Sequence, residues 1–163
     1  MTIVYFSLGA LGLSLLYWWF IGRNTPKYPP LHVADDDPRM LAAIEKARAS
    51  LDTLRSLVGS SGSQIQVKVA FVSNGGVTEH LWAELIELSS TEMDVRYLAP
   101  PVSHTGKLER LAKHAVEDIE DWAVFTESGQ IHGGYTQRLM FDLAREQYGG
   151  LPKELAEQEG RYA

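Results

Sequence analysis

The chain has no cysteine among its 163 residues, which excludes disulfides, thiolate nucleophiles and Cys-ligated zinc or iron–sulfur centres, although it selects no redox compartment. Basic runs are missing too. With 15 Lys and Arg against 21 Asp and Glu, the formal net charge is −6, and nothing supplies the concentrated positive charge that a nucleic-acid backbone attracts. Nucleic acid is therefore set aside as a partner. Charge of either sign is absent from the first 22 residues, so the whole formal charge falls on residues 23–163. The sequence contains neither an internal repeat nor a low-complexity tract. A hydrophobic fraction of 45% and a charged fraction of 22% are ordinary for a chain that folds, and this length suits one domain.

What is present at the start is an uncharged apolar run, Ile3 to Gly22. As a helix these residues reach ~30 Å, the hydrocarbon thickness of a bilayer. Tyr17, Trp18, Trp19 and Phe20 cluster at one end, where aromatic rings favour the headgroup level, and Arg23 and Lys27 follow. A cleavable signal peptide fits less well, because no Lys or Arg precedes the run and bulky aromatics stand where small residues should mark a cleavage site. The expectation is one membrane-spanning helix in the bacterial inner membrane, with the lipid bilayer contacted through residues 3–22. The two basic residues on the C-terminal flank place the following domain in the cytoplasm. Residues 23–34 hold Pro26, Pro29 and Pro30 and read as a semi-rigid spacer.

Beyond the spacer, Asp35, Asp36 and Asp37 precede Pro38, the arrangement of an N-cap followed by proline at the first helical position. Leu41, Ile44, Ala47, Leu51, Leu54 and Val58 recur at helical spacing, and Gly59 is placed as a C-terminal cap. Alternation from Ile65 to Val72, a turn at Asn74, Gly75 and Gly76, and a return from Val77 to Leu88 predict two antiparallel strands. Met93, Val95, Tyr97 and Ala99 predict a third, ended by Pro100 and Pro101. Residues 105–116 suit either a short helix or a strand. Trp122 to Glu127 reads as a buried strand, Ser128 and Gly129 as a turn, and Thr136 as the N-cap of a second helix stopped by Gly149 and Gly150. The expected fold is α+β: an antiparallel sheet of about four to five strands flanked by an N-terminal and a C-terminal helix, all preceded by one transmembrane helix. The corresponding divisions are an anchor at 1–22, a linker at 23–34, a domain at 35–150 and a polar tail at 151–163, a frayed helix or disordered.

Taken in order, PRMLAAIEKARASL, VKVAF with its Gly-rich turn, EHLWAEL, EDIEDW and GQIHGGYTQR resemble the bacterial DUF2314 domain family over roughly residues 36–145. The family is uncharacterised, so the resemblance implies a fold and no chemistry. Relatives commonly carry a Gly-Asp turn between two strands upstream of the Asp-Trp motif, and this chain has HTGKLERLAKHAVEDIEDW there. Some members neighbour toxin and immunity genes, which implies an immunity-type inhibitor as one role for the domain.

The most enzyme-like grouping joins Glu79 and His80 with Asp118 and Asp121, since an imidazole beside carboxylates can act as a general base or hold a metal. The plainer reading makes His80 a hydrogen-bonded, half-buried residue on the strand face of Trp82, and makes Asp118 and Asp121 caps for backbone amides. Gly133, Gly134, Tyr135 and Thr136 precede a helix whose first amides can meet an anion. The alternative is a strand-to-helix turn that needs glycine, with Tyr135 and Trp122 in the core. Arg138 is expected to pair with Asp118 or Asp121. His104, His114 and His132 lack ligand-like spacing, and the sequence implies no metal and no cofactor. The function expected is a membrane-tethered, non-enzymatic domain meeting a protein partner at the membrane. Its alternatives are a hydrolase-like or ligand-binding site around His80, Asp118 and Asp121, and the immunity-type inhibitor.

Overall fold

In the computed structural model, which describes residues 31, 33–34, 36–59 and 63–163, Asp37 opens the first helix as the sequence predicts. Its carboxylate accepts from the Arg39 amide at 2.8 Å, and Pro38 occupies the first helical position. The Arg39 side chain beside it holds the Asp37 carboxyl below its ordinary range. Helix α1 runs Pro38–Ala49 and α2 runs Leu51–Leu57, so the single helix expected through Val58 is broken in two. The break falls at Ser50, whose hydroxyl bonds back to the Ala47 carbonyl at 2.8 Å. The Trp122 indole donates to the same carbonyl and to Ser50 Oγ, each at 3.1 Å.

Strands β1 (Gln64–Val72), β2 (Thr78–Leu88) and β3 (Glu92–Tyr97) form the predicted meander, the last ending two residues short of Ala99. The segment left open between helix and strand supplies β4 (Leu111–Ala115). A 3-10 turn, Val116–Asp118, leads into β5 (Ile119–Phe125), and β6 (Ile131–Gly133) follows. The sheet therefore has six strands in the order β4-β3-β2-β1-β5-β6, every neighbouring pair antiparallel, rather than the four to five expected. The extra strand is only three residues long, too short for alternation to reveal.

The link between β4 and β5 requires the sheet to curl. In a flat sheet the four strand spacings between them would span ~19 Å, whereas the chain from Ala115 to Ile119 reaches at most ~14 Å. Register shifts between Leu85 and Glu87 and between Lys68 and Val69 mark bulges, which bend a strand and increase its twist. The concave face is filled by Val67, Val69, Ala83, Met93, Val95, Tyr97, Val116, Ile119, Trp122 and Val124, closed over by Ala47 and Leu54 from the helices. The opposite face carries Lys68 beside Trp82 and Ala70 beside His80, with cross-strand ion pairs Glu84–Arg96 (3.0 Å) and Asp94–Lys113 (2.9 Å). That is the pattern of a sheet with one face on the core and one toward water.

Helix α3 (Tyr135–Tyr148) packs against α1 and β5 and ends at Gly149 in the left-handed conformation, as predicted. The C-terminal segment, read from sequence as a polar tail that is either a frayed helix or disordered, forms helix α4 (Lys153–Glu159) and then returns to the sheet. Ile131 donates to the Arg161 carbonyl at 2.8 Å and accepts from Ala163 at 2.9 Å, making a parallel bridge beyond β6. Tyr162 packs edge-on against Phe141 at 5.9 Å, and Arg145 pairs with Glu159 across the two helices. Among the described residues no helix is long and apolar enough to cross a membrane. The expected anchor at 3–22 and most of the spacer lie outside them.

Candidate functional site

The two motifs that carry chemistry in the sequence, EDIEDW and GGYTQR, meet at the start of α3. Asp121 is fully buried there. Its Oδ1 accepts from the amides of Trp122 at 2.8 Å and Tyr135 at 3.0 Å, while its Oδ2 accepts from the Thr136 amide and hydroxyl, both at 2.7 Å. Gly134 takes the N-cap position and Thr136 lies inside the helix, so the cap predicted at Thr136 is supplied instead by a carboxylate fourteen to fifteen residues upstream. The physical reason is steric as well as electrostatic. Gly134 has no side chain to cap with, and the helix dipole favours a negative group at this end. Burial pushes the Asp121 carboxyl up, and the bonds from Thr136, Trp122 and Tyr135 oppose that shift.

Of the candidates for an external anion, Gly133, Gly134, Tyr135 and Thr136, the last two spend their amides on the protein's own carboxylate, and Gly134 donates its amide to the Trp122 carbonyl at 2.7 Å. The glycines serve packing. A Cβ on Gly133, at φ +81°, would lie 2.2 Å from the Trp122 carbonyl oxygen and 2.6 Å from its ring, and one on Gly134 would lie 2.3 Å from the Tyr162 ring. Tyr135 packs edge-on against Trp122 at 6.0 Å, which places both aromatics at the core as the plainer reading held.

Asp118 and His80 have other partners. Asp118 accepts from the Ala115 amide at 3.1 Å and lies 3.8 Å from His114 Nδ1, so it closes the 3-10 turn. His80 Nδ1 lies 2.7 Å from Oε2 of Glu120, a residue the sequence did not single out. Register pairs Lys68 with Asp121 and Val69 with Ile119, so Glu120 is the extra residue of the β5 bulge. The bulge also lets Ile119 and Trp122, three apart, face the same core. Glu79, adjacent to His80, turns elsewhere. It accepts from the Val102 amide at 2.8 Å and from the Ser103 amide at 2.6 Å and its hydroxyl, and the Ser103 hydroxyl first, then the two amides, hold its carboxyl below the ordinary range. Arg138 does not pair with Asp118 or Asp121. Its Nη2 donates to the Ala163 carbonyl and its guanidinium stacks 5.2 Å from the Tyr162 ring centre.

Chemically, the described residues offer a close imidazole–carboxylate pair, with the His80 side chain 31% exposed and Glu120 11%, a looser one at His114 and Asp118, and a buried aspartate committed to a helix start. The class defined by this geometry is a curled antiparallel α+β domain whose Asp-Trp pair locks its sheet to two helices. The chain belongs to the DUF2314 family, uncharacterised protein conserved in bacteria, whose family model matches residues 37–149. That span runs from the N-cap of α1 to the C-cap of α3 and leaves α4 and Tyr162 outside. No curated protein and no solved structure matches the chain.

Proposed function

We propose that the chain is a single-pass membrane protein whose family domain is a non-enzymatic protein-interaction module held at the cytoplasmic side of the bacterial inner membrane. The observation that carries the tether is the uncharged run from Ile3 to Gly22, with its terminal aromatics, flanking Arg23 and Lys27, and proline spacer. The non-enzymatic reading draws support from the residues considered for catalysis: Asp118, Asp121, Glu79 and Arg138 each meet backbone groups rather than one another. The His80–Glu120 pair favours a second reading, a ligand-binding or hydrolase-like site, in which Glu120 replaces Asp118 and Asp121 as the carboxylate. The immunity-type role would show as rescue of cells from a toxin encoded beside this chain.

Topology decides the tether, and the lack of cysteine makes the measurement clean. Val102 is 95% exposed, so a Val102→Cys chain carries one accessible thiol. The expected result is recovery in the membrane fraction with no labelling by an impermeant maleimide in intact cells and full labelling after lysis. Labelling in intact cells would overturn the cytoplasmic placement, and recovery in the soluble fraction would overturn the anchor. Repeated detergent extraction without a stoichiometric protein partner would count against the interaction role.

A further inference from the structure

The two edges of the sheet differ. At β6 the chain covers its own edge, since Ile131 donates to the Arg161 carbonyl and accepts from the Ala163 amide. At the other end of the strand order stands β4, which pairs with β3 alone. Its rungs are fixed by their flanks: Tyr97 donates to the Arg110 carbonyl and Val116 to the Thr91 carbonyl, both at 2.9 Å. Alternation between these points turns the backbone groups of Ala112 and His114 toward β3, and those of Leu111, Lys113 and Ala115 toward the outer edge. The Ala115 amide is taken by the Asp118 carboxylate at 3.1 Å. Leu111 and Lys113 are left with outward amides and carbonyls that nothing among the described residues meets.

A bare edge is a template for another strand, and proteins commonly blunt it with a lysine. Lys113 stands in that position, but Asp94 on β3 pairs with it at 2.9 Å, so its charge is already matched within the sheet. Leu111 beside it is 62% exposed. The charges flanking the strand select the partner. Lys107, Glu109 and Arg110 lead into β4 with a net positive charge, and Glu117 and Asp118 leave it with a negative one. A second copy running antiparallel sets the basic approach of each chain against the acidic exit of the other, whereas a parallel copy sets like against like. The register follows from the same considerations. Pairing centred on Lys113 would place that lysine opposite itself and call on the Ala115 amide already bound to Asp118. Pairing centred on Ala112 places alanine opposite alanine and Leu111 opposite the aliphatic stem of a lysine, and it uses only the outward groups that lack partners.

We propose that two copies of this chain join through the outer edge of β4, antiparallel and about a twofold axis at Ala112, making one sheet continuous across both. Leu111 of each copy pairs with Lys113 of the other, each pair exchanging both of its backbone hydrogen bonds. The contact involves no residue of the His80–Glu120 pair and does not depend on the membrane tether.

Because the chain has no cysteine, one introduced thiol per copy reads the register. In the full-length chain in non-ionic detergent, Ala112→Cys sets two thiols across a non-hydrogen-bonded pair, with Cα atoms about 4.5 Å apart and within disulfide reach. Lys113→Cys sets them on a diagonal, roughly 8 Å apart and beyond that reach. Val102→Cys, at a residue 95% exposed and outside β4, measures random collision. The expected result on mild oxidation is a covalent dimer from Ala112→Cys formed about tenfold faster than from Val102→Cys, with Lys113→Cys at the collision rate. Leu111 is exposed, so adding Leu111→Lys to Ala112→Cys leaves the fold intact while setting lysine opposite lysine at both symmetric positions, and it should slow cross-linking about tenfold. The proposal is overturned if Ala112→Cys cross-links no faster than Val102→Cys, if Lys113→Cys cross-links as fast as Ala112→Cys, or if Leu111→Lys leaves the rate unchanged.

Discussion

Gly129 and Gly133 share nearly the same backbone angle, φ +85° and +81°, in unlike surroundings. A Cβ at Gly129 meets nothing within 4 Å, whereas at Gly133 it meets the Trp122 carbonyl and ring. Gly129→Ala should cost about 1–2 kcal/mol for the left-handed conformation alone. Gly133→Ala adds overpacking against backbone, which cannot swing aside, and should cost roughly 2–5 kcal/mol. Urea unfolding of the two variants side by side checks this, and coincident midpoints would refute the steric account. Two carboxylates make a second contrast. Burial raises the Asp121 pKa above its unfolded value, so its linked contribution is present below the unfolded pKa and is lost as pH rises through the folded one. The Glu79 pKa is lowered by Ser103, so its contribution is present above the unfolded pKa and is lost as pH falls through the folded one. Stability relative to Asp121→Asn should therefore grow on acidification from neutral pH, and relative to Glu79→Gln should shrink. Unfolding free energies across that range give both signs. The turns at Gly129 and Gly133 were readable in the sequence, whereas for the carboxylates only the general notion that Asp121 caps amides was, because its partners Tyr135 and Thr136 lie fourteen and fifteen residues away and a turn decides which amides it reaches.

At the scale of elements, the helix start at Asp37 and Pro38, the hairpin turn around Gly75 and Gly76 and the helix stop at Gly149 were all readable, since each depends on residues a few positions apart. The break at Ser50 was not, because the group stabilising it is the Trp122 indole from β5. Strand β6 and the returning C-terminal residues were missed for a related reason. Each is too short to show periodicity and exists only by pairing with what lies beside it. The C-terminal return is also where an element-level prediction belongs. Tyr162 covers Gly134, packs on Phe141 and lies beneath Arg138. Tyr162→Ala should cost about 2 kcal/mol, less than a core aromatic because the ring is only half-buried. Hydrogen exchange should quicken at Ile131 and Gly134 and stay unchanged at Val69, whose partners lie in the central strands.

For the molecule as a whole, the sequence by itself determined a cysteine-free, acidic chain with an uncharged apolar N-terminal run, an α+β domain and membership of DUF2314. These properties follow from composition, local periodicity and ordered motifs, which do not change when the chain folds. Tertiary structure alone decided which polar residues meet. The extra residue in β5 brought Glu120, rather than Asp118 or Asp121, to His80, and the curl of the sheet took Asp121 to the start of α3. It also returned the C-terminus over β6 and, among the described residues, left the outer edge of β4 bare. A bulge is a property of two strands in register, and an edge is a property of the whole sheet, so neither is written in any one segment.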